Sequence, residues 1–556
     1  MILRGWNRIG AHAWSVLLLA MLLPVAGAVA TTGRPSRDER RIIAAERAVE
    51  RQDWAVAAER YVRAARHSRE AAIAERATRL AFATSQWRAT VAAAGRWLEL
   101  APDAESAHRL LGMTLLRLHR PAESAEEFSW VLEHAYPDKV EGLRAFAASF
   151  LAEQDESAAA EVMAILTRRH DGIPEAHHAS SVLWERADHG ARALAAAERA
   201  LELRPGWREA EIARLRALAR LSRYDEAITG VVALGTDGET RLNQVWFLLQ
   251  AHRRDEARRM LETLANDRGV ANDAAEALAA LDIEAGRLDE ARTRLEALLQ
   301  GGRNVEAAAW HLAVIATRTG DRPLALTLLG RITTGPRISA ALLRRVQLYE
   351  ELGRGVEAEV ALDDFLNENP ASTVELAIGR ASLLLDQKRA DEGLALLERL
   401  RTVYPDADAI DAMVATLQER TDRVDAAVRT LRELLARRPD DPTAQNALGY
   451  VLVDRTPRRA EGLRLIERAL AAKPDNGPII DSMGWALVQS GRVAEGLTHL
   501  ERAWHLTEDA EVASHLGTAL WRLGRRDEAH ELWSRVLEDH PDNRHLLAAI
   551  AAHPRP

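Results

Sequence analysis

The sequence predicts an all-α chain, built as an α-solenoid of one repeated helix pair. Three observations carry that expectation. Ala, Leu, Arg and Glu, all good helix formers, dominate the 556 residues. Only 19 Pro and 32 Gly punctuate them, too few for the turns of a many-stranded β protein. A small buried-type residue also recurs at near-constant spacing along almost the whole length. Length alone would suggest about three or four globular domains, but that prior fails for chains that lengthen by adding copies.

The N-terminus reads as an address. Arg4 and Arg8 precede an apolar stretch, Trp14 to Leu23, which Pro24 ends. Ala26-Gly27-Ala28 and Ala28-Val29-Ala30 then offer small-x-small cleavage sites, and Thr31-Thr32-Gly33-Arg34 turns polar at once. Residues 1–30 are therefore expected to be a secretory signal cleaved after Ala30, with 31–37 a short linker. The alternative is an uncleaved anchor over Trp14 to Ala30, just long enough to span a bilayer. No second span follows, so the remainder is expected to be exported to the periplasm. The chain has no cysteine, which excludes a bacterial lipid anchor along with disulfides, thiol catalysis and Cys-ligated metal.

The repeat is clearest near the C-terminus. Asn446-Ala447-Leu448-Gly449-Tyr450 recurs as Asp481-Ser482-Met483-Gly484-Trp485, and again as Ser514-His515-Leu516-Gly517-Thr518. Each is followed by a second segment with a small residue, a bulky one four later and a small or apolar one three after that. These sets are Gly462/Ile466/Ala469, Gly496/Leu500/Ala503 and Ala529/Trp533/Val536. The small marker runs backwards through Ala427, Gly393, Ala358, Ala325, Ala291, Ala257, Ala227, Ala193, Ala158, Ser124, Thr90 and Ala57. A small residue there lets the second helix approach the first, and neither helix can bury its stripe without neighbours. Steps are 33 to 35 residues except one of 30, between Ala227 and Ala257, where Gly230, Gly235 and Gly238 cluster. A turn of helix is expected to be missing there, dividing an N-terminal segment, 38–235, from a C-terminal one, 236–545. Residues 546–556 are left as a tail.

This period, with its Leu-Gly and small-x-x-x-bulky cues, resembles the tetratricopeptide repeat (TPR) family over roughly residues 38 to 545, about fifteen copies. The resemblance implies a right-handed superhelix whose concave wall is lined by first helices and binds protein partners.

Little chemistry competes with a binding role. The acidic pairs Asp225-Glu226, Asp255-Glu256, Asp289-Glu290, Asp391-Glu392 and Asp527-Glu528 each precede the marker of a second helix, so the Asp is expected to be an N-cap. The 18 histidines include no H-E-x-x-H and no i, i+4 pair, and adjacent His177 and His178 point apart on a helix. No phosphate-binding or nucleophile-elbow motif occurs. The chain is expected to be no enzyme, with no catalytic residue, cofactor or metal. Its net charge of −9 disfavours nucleic acid.

Taking the Leu-Gly glycine as reference, a stripe facing the groove reads Asn446, Tyr450 and Asp454, then Asp481, Trp485 and Gln489, then Trp521 and Arg522. Trp246 and Trp310 fall on the same stripe in earlier copies. Aromatics interleaved with amides and charges suit an extended peptide, since Trp, Tyr and Arg carry most interface hot spots. A carboxylate clamp is disfavoured, because Asp454 and Asp481 occupy the stripe and Arg522 is its one cation. The alternative for any such Trp is packing between copies.

The C-terminal block is more specific. Asn446-Ala447-Leu448-Gly449-Tyr450-x-Leu452-x-Asp454, Asp481-Ser482-Met483-Gly484-Trp485 and His515-Leu516-Gly517 through Glu528-Ala529 resemble a family of proteobacterial exported TPR proteins. That family includes the lipoprotein adaptor that binds a periplasmic C-terminal-processing protease and presents cell-wall hydrolases to it. The resemblance implies a scaffold or adaptor of the cell envelope with such a protease, or its hydrolase substrates, as partners. The missing cysteine departs from the pattern. The alternative is a structural scaffold of an exopolysaccharide-export or outer-membrane assembly machine.

Overall fold

A computed structural model describes residues 37–554, apart from 52, 154, 303, 370, 371 and 542. The expected leader, 1–30, lies outside the described residues, as does the linker up to residue 36; Arg37 already opens the first helix. Among the described residues there are 31 helices and no strand, running from Arg37–Glu50 to Arg544–Ala552. The chain is an all-α solenoid in which first and second helices alternate. No described helix is long and apolar enough to cross a membrane.

Contacts divide the chain into two compact units. One runs to Leu383 and includes Arg399–Ala407; the other comprises Leu384–Glu398 and Asp408 onward. The short step does shorten its second helix, Tyr224–Ala233, to 10 residues. The division of contacts falls well beyond it.

The marker residues do what their size dictates. All fifteen, from Ala57 to Ala529, are buried. In the C-terminal copies the two helices meet glycine to glycine. A Cβ added to Gly462 would lie 2.5 Å from the Gly449 carbonyl oxygen, and one on Gly496 would lie 2.6 Å from that of Gly484. In the last copy a Cβ on Gly517 would sit 2.1 Å from Trp533 Nε1, so the glycine makes room for the indole. Gly496→Ala should therefore force the helices apart and cost about 1–3 kcal/mol, read as a lower urea midpoint.

The turn inside each pair has its own register. A residue in the left-handed region stands just past the first helix at Ser85, His119, Asp188, Ser222, His252, Lys388 and Asp422, and as glycine at 286, 320, 353, 491 and 524. Side chains pay for that conformation and glycine does not. Ser222 is exposed with φ of 59°. Ser222→Gly should raise stability by up to about 1 kcal/mol, visible as a higher melting temperature of the N-terminal unit.

Two expectations are corrected. The Asp of each acidic pair is not the N-cap but the second residue of its helix, as with Asp225 in Tyr224–Ala233 and Asp527 in Arg526–Asp539. The N-cap positions before Asp225, Asp255, Asp289 and Asp527 hold Arg223, Arg253, Arg287 and Arg525, none with a side-chain cap. Except at Arg287, which turns to Asp282, the arginine instead grips the glutamate three residues on. Arg223 Nε and Nη2 reach Glu226 at 2.6 and 2.7 Å, and Arg525 reaches Glu528 at 2.7 and 2.6 Å. The same bidentate pair forms at Arg120–Glu123, Arg253–Glu256, Arg389–Glu392 and Arg492–Glu495.

The second correction concerns the C-terminus, where residues 546–556 do not form a plain tail. A helix spans Arg544–Ala552, capped by Asn543, which accepts from the backbone N–H of His545 and Leu546. Leu546 and Ala549 are buried against Trp533 and its neighbours. This helix covers the apolar face of the pair before it.

Candidate peptide-binding groove

The aromatic stripe of the C-terminal unit lies on three successive first helices, Pro442–Arg455, Gly477–Gln489 and Ala510–Arg522. The structure draws four of its residues into one network with three that the sequence did not single out: Glu511, His515 and His545. Trp485 stacks on His515, with ring centroids 4.2 Å apart and planes 15° apart, and donates from Nε1 to Asp454 at 2.9 Å. His515 Nδ1 donates to both Asp481 oxygens at 3.0 Å. The Tyr450 hydroxyl donates to Glu511 at 2.9 Å, and His545 approaches Glu511 from the closing helix at 3.8 Å. Tyr450 thus reaches past the intervening copy to the one beyond.

The chemistry of this network is internal. Trp485 is 9% exposed and Asp481 6%, so neither presents a face to a partner. The groove-facing expectation for these two is replaced by packing between copies: His515 on the next helix supplies the plane that covers the indole. Tyr450 is half-buried and Asp454 exposed. Asn446 and Gln489 are half-buried too, and the Asn446 Oδ1 is buried without a hydrogen-bond partner. Trp521 turns instead to the closing end, edge-on to His530 and His553 with the Arg526 guanidinium 5.0 Å from its ring. Arg522 is exposed and donates to the Val488 carbonyl at 3.1 Å.

Charges in the network are mutually set. Burial alone would lower the His515 pKa, but the charge and hydrogen bond of Asp481, with Glu511 and Asp454 behind it, raise it above the usual histidine value. Burial would likewise raise Glu511, and His545, His515 and the Tyr450 hydroxyl hold it below the usual carboxylate range. A histidine with a raised folded pKa stabilises fully below its unfolded value of about 6.5, and that contribution is lost as pH rises through the folded value. Melting temperatures of wild type and His515→Gln should therefore differ most near pH 6 and converge at alkaline pH. A difference that grew with pH would contradict this assignment.

In the N-terminal unit three successive first helices leave a small recess between them. Lys139–Phe150, Pro174–Arg186 and Arg208–Arg220 together line a cavity of about 60 Å³. Ala147, Leu151, Ala179, Val182, Ile212 and Ala213 make it apolar; His178, Glu185, Glu209 and Arg216 give it polar edges. These positions follow from helical spacing. His178, Val182 and Glu185 share one face of their helix, as do Glu209, Ile212, Ala213 and Arg216 of the next. Burial pushes His178 below the usual histidine pKa, and its ring lies 4.9 Å from Trp207. Trp246, expected on the groove stripe, is half-buried beside this cavity, and the Arg216 guanidinium lies 5.5 Å from its ring. Trp310 is half-buried against a hydrophobic cluster around Leu312 and Ile315. The groove combines an apolar floor, hydrogen-bonding edges and one aromatic-backed cation. Among the described residues no cluster of three His, Asp or Glu side chains could hold a metal.

Two stretches match family models described as tetratricopeptide repeat, residues 384–449 and 455–552. Among curated proteins, TPR repeat-containing protein PA4667 of Pseudomonas aeruginosa is 28% identical over 213 residues, 38% of this chain. The alignment spans only 36% of that relative's length. Similar solved structures include TTC0263, a TPR protein of Thermus thermophilus, at 21% identity and TM-score 0.30, covering 33% of this chain and 98% of that one. The Cut9–Hcn1 hetero-tetramer of the APC/C aligns over 94% of this chain and 97% of that one, at 14% identity and TM-score 0.32. With fifteen buried markers in register, the chain is an all-α solenoid of one repeated helix pair, and two of its C-terminal stretches are similar to tetratricopeptide repeats.

Proposed function

We propose that this chain is a non-catalytic adaptor of the bacterial cell envelope that holds an extended segment of a partner protein against its first helices. The observation that carries this reading is the apolar cavity spanning three consecutive first helices, with Arg216 and Trp246 at its edge. Such a surface offers a shallow side-chain pocket with hydrogen-bonding edges. The finer reading is an adaptor in the periplasm for a C-terminal-processing protease and its cell-wall hydrolase substrates. It rests on the resemblance of the C-terminal motifs and on the leader-like N-terminus.

Affinity capture from a bacterial envelope fraction tests it, comparing chain 31–556 with its Val182→Trp variant, whose indole would fill the cavity. A processing protease or hydrolase held by the wild type and lost by the variant supports the adaptor. Equal retention by both moves the binding surface off this groove. Retained β-barrel or polymer-export proteins would favour a structural scaffold of an assembly machine instead.

A further inference from the structure

The edge of the N-terminal groove carries charges of unequal standing. Glu185 is committed to Arg220, whose Nε lies 2.8 Å away. His178 is half-buried, and its desolvation lowers its pKa and favours the neutral form. Glu209 is exposed at the start of its helix, where solvent and the helix dipole satisfy it. Arg216 differs from all three. Its side chain is half-buried, its Nε is buried with no hydrogen-bond partner, and it makes no ion pair among the described residues. Its guanidinium carbon instead lies 5.5 Å from the centre of the Trp246 ring, which leaves its fork of N–H donors with no anion. A partly desolvated cation without a counter-charge costs stability unless a ligand supplies one. The apolar cavity shares this residue as part of its wall.

We propose that the groove selects an extended segment carrying an internal Asp or Glu side chain for Arg216 and a small aliphatic side chain for the adjoining cavity. This deepens, and rests on, the reading of the groove as a peptide-binding surface. In an extended chain side chains two apart point the same way, so the acid and the aliphatic residue stand at alternate positions. The carboxylate accepts from the Arg216 guanidinium, while Val182, Ile212 and Ala213 cover the aliphatic group. Glu209 at the other edge disfavours a second acid on that side, which makes the recognised segment acidic at one end only.

The test is an array of nonapeptides, acetylated and amidated, in which the fourth and sixth residues are each varied over all twenty amino acids. A matched array with free C-termini is run beside it. Both are probed with chain 31–556, wild type, Arg216→Gln and Arg216→Glu, each first checked for an unchanged melting profile. The wild type should favour Asp or Glu at one varied position and Val, Ile or Leu at the other. Arg216→Gln should weaken those peptides about tenfold or more, as loss of a charge-assisted contact does. Arg216→Glu should turn the acidic preference into one for Lys or Arg. Aliphatic peptides bound with no acidic preference, or an acidic preference that survives charge reversal, would overturn this inference while leaving the groove a binding surface. Binding confined to free C-termini would overturn the internal side chain in favour of a terminal carboxylate. Binding of no peptide by the wild type would overturn the groove reading itself.

Discussion

Trp533→Ala is expected to destabilise the closing copy by about 3–5 kcal/mol, the usual range for emptying a buried aromatic site. Trp533 is fully buried. Its indole sits over Gly517 and packs against Trp521, His530 and His553, with ring centroids 5.5 to 6.5 Å away. Stability in a solenoid is close to a sum over neighbouring interfaces, so the damage should stay local. Hydrogen exchange should accelerate across Ala510–Arg522, Arg526–Asp539 and Arg544–Ala552, with the N-terminal unit unchanged. Trp533→Phe should cost much less, because Trp533 Nε1 is buried without a hydrogen-bond partner and the ring's volume is mostly retained. Equal losses for the two substitutions would show that packing is not what the indole supplies.

The second large effect is expected at Asp282, a 1% exposed carboxylate in the N-terminal unit. Arg258, Arg287 and Arg294 all converge on it, the last two at 2.9 and 3.1 Å. Burial would raise its pKa, but the hydrogen bonds from Arg258 and Arg287 and the surrounding positive charge lower it below the usual aspartate value. Asp282→Asn keeps the shape and removes the charge, leaving three guanidiniums to repel one another. Breaking a buried pair costs about 3–5 kcal/mol, and partial exposure of these arginines reduces the expected loss to about 2–3 kcal/mol. An aspartate with a lowered folded pKa stabilises above its unfolded value of about 3.9, and that contribution is lost as pH falls through the folded value. The difference between wild type and Asp282→Asn should therefore be full at pH 7 and shrink toward pH 3.

The positions that were legible in the sequence are those whose requirement is local to one helix pair. A marker such as Ala291 or Gly462 must be small because the facing backbone is close in every copy, so the constraint repeats and can be read off the spacing. The 30-residue step was readable for the same reason, as a helix one turn short. What could not be read is whatever depends on the next copy along. Whether Trp485 faces a partner or its neighbour is decided by His515, thirty residues on, whose ring provides a matching plane. The buried Asp282 was invisible because its arginines come from the two flanking second helices, Arg258 from the one before and Arg287 and Arg294 from the one after.

Two signals were present and easily passed over. Arg-x-x-Glu recurs at the second-helix start as regularly as the acidic pair does, and it is the arginine that takes the cap position. Asn543 followed by Leu546, Ala549 and Ile550 at i, i+3 and i+4 spacing announces a closing helix. In the groove, Trp246 was placed on the binding stripe from its register, whereas Arg216 beside it carries no periodic signature.

The most direct measurement is site-specific photo-crosslinking in living cells, with one probe at Val182 on a first helix and another at exposed Glu198 on the following second helix. Binding along the first helices predicts partner crosslinks from position 182 that a competing acidic–aliphatic peptide abolishes, and none from position 198. Crosslinks arising equally at both positions, or only at 198, would place the partner on the outer face and contradict the account.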